Sequence, residues 1–296
     1  MKSGSPLKRV TIGDIVITLI MGIWALVVLI PFVNVIMISF TTEREYLSTV
    51  VFLYPHEPTL GNYREIFKDP RIWSGYRNTL TLLLIGLPLS MFLTTSFSYG
   101  MSRTGYPGKK LIFMYVLITM FFNGGIIPLY LLMRELSLTN TLWSVILANS
   151  ISTFYMIIMR NFFFTIPESL IESARLDGAD DWRILWNIIL PLSMPIMATI
   201  FLFYTVDRWN EWFNPLVFLQ RGTLHPIQLV LRSIVLDSQL DVIILQSGGS
   251  VVLDERNFTM GLKTATIIVA LLPVMLLFPF LQKHFVKGVL IGAVKS

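Results

Sequence analysis

Apolar residues in this chain gather into long runs rather than the alternating or three-to-four-residue spacing of soluble strands and helices. Six runs carry no Asp, Glu, Lys or Arg: Ile15–Thr42, Asn78–Ser102, Leu111–Met133, Leu136–Met159, Ile184–Val206 and Thr264–Gln282. A helix crosses a hydrocarbon layer about 30 Å thick with roughly 17 to 25 residues, so each run is long enough. Backbone amides in lipid find no water and must be satisfied internally, which makes these runs helices rather than isolated strands. The pattern predicts an all-α integral membrane protein. One membrane domain covers residues 1–296, with six transmembrane helices near 14–40, 77–100, 111–133, 138–160, 193–216 and 262–282. Between them lie longer polar segments, 41–76 and 220–261 on one side and 163–191 on the other.

Composition agrees with the pattern. The chain is 54% hydrophobic and 14% charged, against about a quarter charged in soluble domains. Cysteine is absent, which excludes disulfides and thiolate metal sites. His56, His225 and His284 are too scattered to suggest a metal cluster. The net charge of +5 reads as membrane topology, with no nucleic-acid partner. The short amino-terminal flank holds Lys2, Lys8 and Arg9 before the first acid, Asp14. Basic residues on short flanks mark the cytoplasmic side, so both termini and the 160–191 segment are predicted to be cytoplasmic.

Glycine and proline interrupt the runs at Pro31, Gly86 with Pro88, Gly124-Gly125 with Pro128, Pro195, Pro273 and Pro279. Two readings stand side by side. Neighbouring helices can repair the lost hydrogen bonds of simple kinks, or the breaks can line a pathway through the membrane.

The most informative polar segment runs from Pro167 to Pro191. Pro167 starts a helix well, because its missing amide proton is not needed there. Glu168 and Glu172 lie near that helix's positive end. Ser169, Ser173 and Ala174 keep one face small. Gly178 can take a positive φ and stop the helix. A second short helix from Asp180 to about Ile189 is predicted, capped by Asp180 or Asp181, with Pro191 marking the turn into the next span. Two short helices joined at a glycine make a shape that fits a groove in a partner.

The spacing Glu172-Ser173-Ala174, then Gly178, then Ile188 and Leu190-Pro191 resembles the "EAA loop" of permease subunits of bacterial binding-protein-dependent ABC importers. Ser173 departs from the usual alanine by a small-for-small change. Trp209-Asn210-Glu211-Trp212-Phe213-Asn214-Pro215 resembles the signature of the carbohydrate-uptake branch. The tail from Gln282 to Lys295 is similar to that of the maltose-type "G" subunit. Asn123-Gly124-Gly125-Ile126-Ile127-Pro128 looks like the subgroup that imports oligosaccharides and polysaccharide fragments, uronic-acid types included.

The resemblance implies the type I ABC importer permease fold in a bacterial cell membrane. It also implies a second permease subunit, two cytoplasmic ATPase subunits and an extracytoplasmic solute-binding protein. The first helix of the loop is then the coupling helix. Its ATPase-facing residues are expected to be Glu172, Ser173, Ala174, Leu176, Asp177, Gly178, Ala179, Ile188, Leu190 and Pro191. The chain itself is expected to be no enzyme and to bind no cofactor directly, ATP and magnesium sitting on the ATPase subunits. Consistently, it has no phosphate-binding loop; Gly105-Tyr106-Pro107-Gly108-Lys109-Lys110 is not one.

Charges reappear at the end of the fifth run, at Asp207, Arg208 and Glu211. Charges at membrane depth face protein or water. Asp207 with Glu211, and Asn210 with Asn214, have the spacing of one helix face. Asn123, Asn149, Ser152, Trp209, Asn210 and Glu211 are the expected lining of a substrate pathway. Trp209 and Trp212 are alternatively an interfacial aromatic belt, and Arg208 a simple ion-pair partner of Asp207 or Glu211. An ion-coupled secondary transporter is the competing class. It needs ionisable relays deep in several spans, and outside this cluster the runs have almost none.

Overall fold

A computed structural model describes residues 11–48, 54–103, 105–246 and 260–276, all helical or connecting, with no strand among them. The carboxy-terminal tail expected to resemble the maltose-type subunit lies outside the described residues, as does the basic flank before residue 11. The chain divides into two compact units, residues 1–68 with 235–269 and residues 69–234 with 270–296.

The first unit is dominated by α1, Ile12–Ser39. Its apolar side chains are exposed on every face as far as Phe32, the pattern of a helix surrounded by lipid. Its end is pinned: Asn62 Nδ2 donates to the carbonyls of Ser39 and Thr41 at 3.0 and 3.1 Å. Ser39 Oγ meets Tyr63 Oη at 2.7 Å.

In the second unit α2 runs from Pro70 to Ser102, eight residues earlier than the uncharged run. Asp69 caps it, accepting from Arg71 N at 2.8 Å, and Pro70 opens it as proline opens helices. Buried Asn78 donates to the carbonyls of Thr223 and His225, which ties the early part of α2 to a distant turn. The next three expected spans are each bent pairs. α3 (Lys109–Phe121) and α4 (Ile126–Glu135) meet at 110°. α5 (Leu142–Ala148) and α6 (Thr153–Phe163) meet at 49°. After α7 (Glu168–Leu176), α8 (Asp181–Leu192) and α9 (Met194–Trp209) meet at 86°. α10 (Phe213–Phe218) and α11 (Ile227–Gln246) follow. α12 spans Met260–Leu276, and the remainder of the sixth run lies outside the described residues.

Gly124-Gly125 and Pro195 mark two of these breaks in the sequence and the α5–α6 break is unmarked there; each has a local cause. Gly125 has φ +88° and ψ 174°, a region essentially closed to residues with a Cβ. The α5–α6 break has no glycine or proline; Ser150 Oγ donates to Leu147 O at 3.0 Å and Ser152 Oγ accepts from Tyr155 N at 3.4 Å, bonding one helix end each. The expected turn at Pro191 falls instead at Ser193. Helix α8 carries on through Pro191 because a π-turn, Leu185–Ile189, precedes it. A second π-turn, Leu82–Gly86, precedes Pro88 in α2. Proline lacks an amide proton and crowds the carbonyl four residues back. A locally wider turn relieves both problems. The expected loop 220–261 also contains a 20-residue helix, α11. Ile227, Val230 and Leu231 are buried at helical spacing along it.

Gly125→Ala meets no atom within 4 Å at its new Cβ, so its cost comes from the backbone alone. It is expected to destabilise the protein by about 1–3 kcal/mol, read as a lower Tm in detergent. Gly124→Ala also has open space and no positive φ, and should leave the Tm nearly unchanged.

Candidate functional site

The polar loop forms a rigid unit with an inner and an outer face. α7 ends in paired bonds: Ala179 N donates to Ala174 O at 2.9 Å and Gly178 N to Arg175 O at 3.0 Å. This double closure requires the left-handed residue that Gly178 supplies at φ +82°. Asp180 Oδ1 then accepts from Arg183 N at 2.8 Å and caps α8. Ile171, Ile184, Leu185 and Ile189 are buried in one cluster with Met159, Phe163 and Tyr99. Ala174, Ala179 and Leu190 pack against the same cluster. These three, expected to face a partner, are half-buried against the cluster rather than fully exposed; Ile188 is half-buried too.

Glu172, Ser173, Leu176, Asp177 and Gly178 form the outer face, all exposed, and Pro191 is exposed further along α8. Leu176 is 89% exposed, an apolar side chain at the tip of a clamped helix. Glu172 makes no ion pair among the described residues. Arg175 pairs with Asp181 at 3.0 Å, and that hydrogen bond raises its pKa above the ordinary value. Both partners are half exposed or more, so the pair contributes little stability.

The second site is the break between α5 and α6, held by α9. Arg208 is 1% exposed. Its Nη1 donates to Val145 O at 2.8 Å. Its Nη2 donates to Ile146 O and Asn149 O, both at 2.8 Å. These carbonyls are the open carboxy-terminal end of α5, where a cation is favoured by the helix dipole. Arg208 also pairs with Glu211 at 3.2 Å. Glu211 in turn accepts from Asn149 Nδ2 and from Asn214 Nδ2. On the other side of the break, Tyr204 Oη accepts from Ser152 N at 2.9 Å. The same hydroxyl bonds Thr94 Oγ1 on α2 at 2.6 Å. Two residues of α9, one turn apart, thus stitch both ends of the break.

A cavity of about 330 Å³ opens beside this stitching, lined by Asn149, Ser152, Tyr204, Asp207, Arg208 and Glu211. The structure therefore brings together Asn149, Ser152 and Glu211 among the expected pathway residues. It separates the rest. Trp209 is 5% exposed, and its Nε1 donates to Ala270 O at 3.2 Å, so its ring offers no face to a pathway. Asn210 caps its own helix through Val206 O. Asn123 accepts from Gly125 N at the α3–α4 break. The expected shared helix face of Asp207 with Glu211 and Asn210 with Asn214 is absent, because α9 ends at Trp209. Asp207 accepts instead from Tyr155 Oη at 2.7 Å. Tyr204 and Tyr155, not among the residues expected from the sequence, are central here. Their polar tips inside apolar runs were the available signal.

Residues 8–291 match the family described as binding-protein-dependent transport system inner membrane component. The chain belongs to this family. Its members are non-catalytic membrane components of importers. Relatives are similar over nearly the whole length. The polygalacturonan/rhamnogalacturonan transport system permease protein YtcP of Bacillus subtilis (strain 168) is 40% identical, covering 92% of this chain and 94% of that one. Protein LplC of the same organism is 35% identical over 98% and 97%. Among solved structures, a bacterial ABC transporter involved in the import of the acidic polysaccharide alginate matches with a TM-score of 0.83. It is 28% identical and covers 96% of this permease and 100% of that chain.

Arg208→Met strips the end of α5 and leaves Glu211 buried without its cation. Breaking a buried pair from one side costs about 3–5 kcal/mol, which thermal unfolding in detergent should register as a large loss. Adding Glu211→Gln should recover part of that loss. Arg208→Lys should fall between, because an ammonium lacks the planar fork that reaches both strands of contacts.

Proposed function

We propose that this permease is one membrane subunit of an ATP-driven importer of carbohydrate oligomers, coupled to a separate ATPase through the loop that carries α7. The observation that carries the reading is Leu176, held almost fully exposed on a helix clamped from behind. An apolar side chain on a preorganised tip is what a partner's cleft buries as an interface anchor. Glu172 beside it offers an uncommitted carboxylate for a basic residue in that cleft. The loop and both termini then face the cytoplasm, in keeping with the basic flanks.

The assembly is a second permease subunit, two ATPase subunits that hold ATP and magnesium, and an extracytoplasmic binding protein that delivers cargo. ATP binding closes the ATPase pair and draws the loops together, which shifts the spans from inward-open to outward-open. Hydrolysis resets them. The named cargo of the relatives supports a polymer-derived sugar. The cavity at the α5–α6 break is the part of the pathway this chain contributes. Asp207 and the neighbouring amide and hydroxyl groups suit sugar hydroxyls. Arg208 is 1% exposed and already balanced by Glu211, so it does not serve as counter-charge to a uronate. Carboxylates of an acidic cargo are met elsewhere in the assembly.

Leu176→Ser removes the anchor, and Gly178→Pro forbids the positive φ that closes α7. In a complex reconstituted with its ATPase, permease partner and binding protein, each should lower cargo-stimulated ATPase activity about tenfold or more, the equivalent of about 1.4 kcal/mol. Insertion of the chain into membranes should be retained. Normal stimulation in both variants rejects the coupling role of α7.

A further inference from the structure

A second cavity, of about 470 Å³, lies between the end of α2 and the start of α8. We propose that it binds one anionic phospholipid, with the phosphate on Arg103 and an acyl chain against the wall made by Phe97, Met101, Ile112, Trp182 and Leu185.

The wall is apolar, and Phe97, Ile112 and Trp182 are all exposed. Phe97 belongs to an uncharged run of membrane length, so this side of the cavity opens toward hydrocarbon rather than water. Arg103 is the first charge after that run, which places it at the membrane boundary. Asp181 also lines the cavity, but Arg175 neutralises it at 3.0 Å. The cavity thus keeps the two-part chemistry of a lipid, hydrocarbon along one wall and, at one end, a cation unpaired among the described residues.

That cation is incompletely used. Arg103 donates from Nε and Nη2 to Ser102 Oγ, at 3.2 and 3.0 Å. Its guanidinium lies 4.6 Å from the centre of the Tyr99 ring. Among the described residues it forms no ion pair. The nearest candidate, Asp181, is taken by Arg175 and receives only a 3.5 Å contact from Tyr99 Oη. An arginine presents paired donors to phosphate oxygens, so an anionic headgroup completes this corner as a neutral one does not.

Occupancy has a mechanical meaning. The cavity touches α2 on one side and the foot of α8 on the other, where the exposed loop joins the membrane domain. A bound lipid braces that joint. The inference rests on the membrane embedding of the chain and is independent of the cargo.

The test uses the purified permease with its co-purifying subunits in phosphatidylcholine nanodiscs, doped with an equal small fraction of dibrominated phosphatidylglycerol or dibrominated phosphatidylcholine. Tryptophan fluorescence reports bromine contact. The glycerol lipid should quench about twice as strongly at equal fraction, as expected for a charge-selected site. Trp182→Phe should remove the excess while leaving the common quenching from other tryptophans. Arg103→Gln and Arg103→Ala should also remove it, and the common quenching shows that each variant is embedded. Equal quenching by the two lipids in the unaltered protein overturns the proposal. So does an excess that survives either change of Arg103. Removal of the excess by millimolar inorganic phosphate would show a simple anion site and overturn it as well.

Discussion

One guanidinium organises the middle of the membrane domain. Helices α5 and α6 together make a single span's length, but between them the backbone leaves the helix and exposes carbonyls and amides. Such groups are costly in hydrocarbon unless something satisfies them. Arg208 satisfies three of the carbonyls directly, and Tyr204 satisfies the first amide beyond the break. The charge that makes this possible is itself costly away from water, and Glu211 balances it at 3.2 Å. The break, the cation and the acid stand or fall together. A continuous α5–α6 helix would have no open carbonyls for Arg208, and the buried charge would lose its reason to be there.

The same economy of partners separates the faces of the loop that carries α7. Small residues in its motif have two distinct jobs. Ala174 and Ala179 let α7 lie close on the cluster around Phe163 and Ile184, while Glu172, Ser173 and Leu176 remain outside. The inner face holds the loop in place, and the outer one is left exposed. A loop that had to be ordered at the moment of docking would lose affinity to that ordering.

Long uncharged runs and the Pro167–Pro191 segment made the helical membrane architecture and the two loop helices legible in the sequence. Glycine at 178 and aspartate at 180 marked the joint between those helices by their known preferences at helix ends. Less legible was anything that depended on partners far along the chain. The α5–α6 break has no breaker residue, only Asn149, Ser150 and Ser152, whose side chains compete for the backbone. Its stability comes from Arg208, about 60 residues away. Trp209 looked like an aromatic surface by composition, and only its contact with Ala270 shows it buried. The i,i+4 spacing of Asp207 and Glu211 suggested one helix face, but spacing cannot reveal that the helix ends between them. The π-turns were equally hidden, although both sit immediately before a proline and share its stereochemical cause.

Those π-turns matter for how the two sites communicate. α8 begins at the exposed loop, and α9 carries Arg208 one residue before its end at Trp209, with a single 86° bend between the two helices at Ser193. No domain boundary or long linker intervenes. Ser193 Oγ is buried and without a partner among the described residues, and Leu185–Ile189 is wound as a π-turn just before it. Both features are less tightly bonded than plain α-helix, so the segment between loop and cavity is where the chain deforms most cheaply. The ends are the opposite. Ile171, Ile184 and Phe163 lock the loop, and Arg208 with Tyr204 locks the break. A rotation of α9 about that joint would move Arg208 and Tyr204 relative to the carbonyls and amide they hold, so a change in the shape of the cavity beside them would require those bonds to be exchanged.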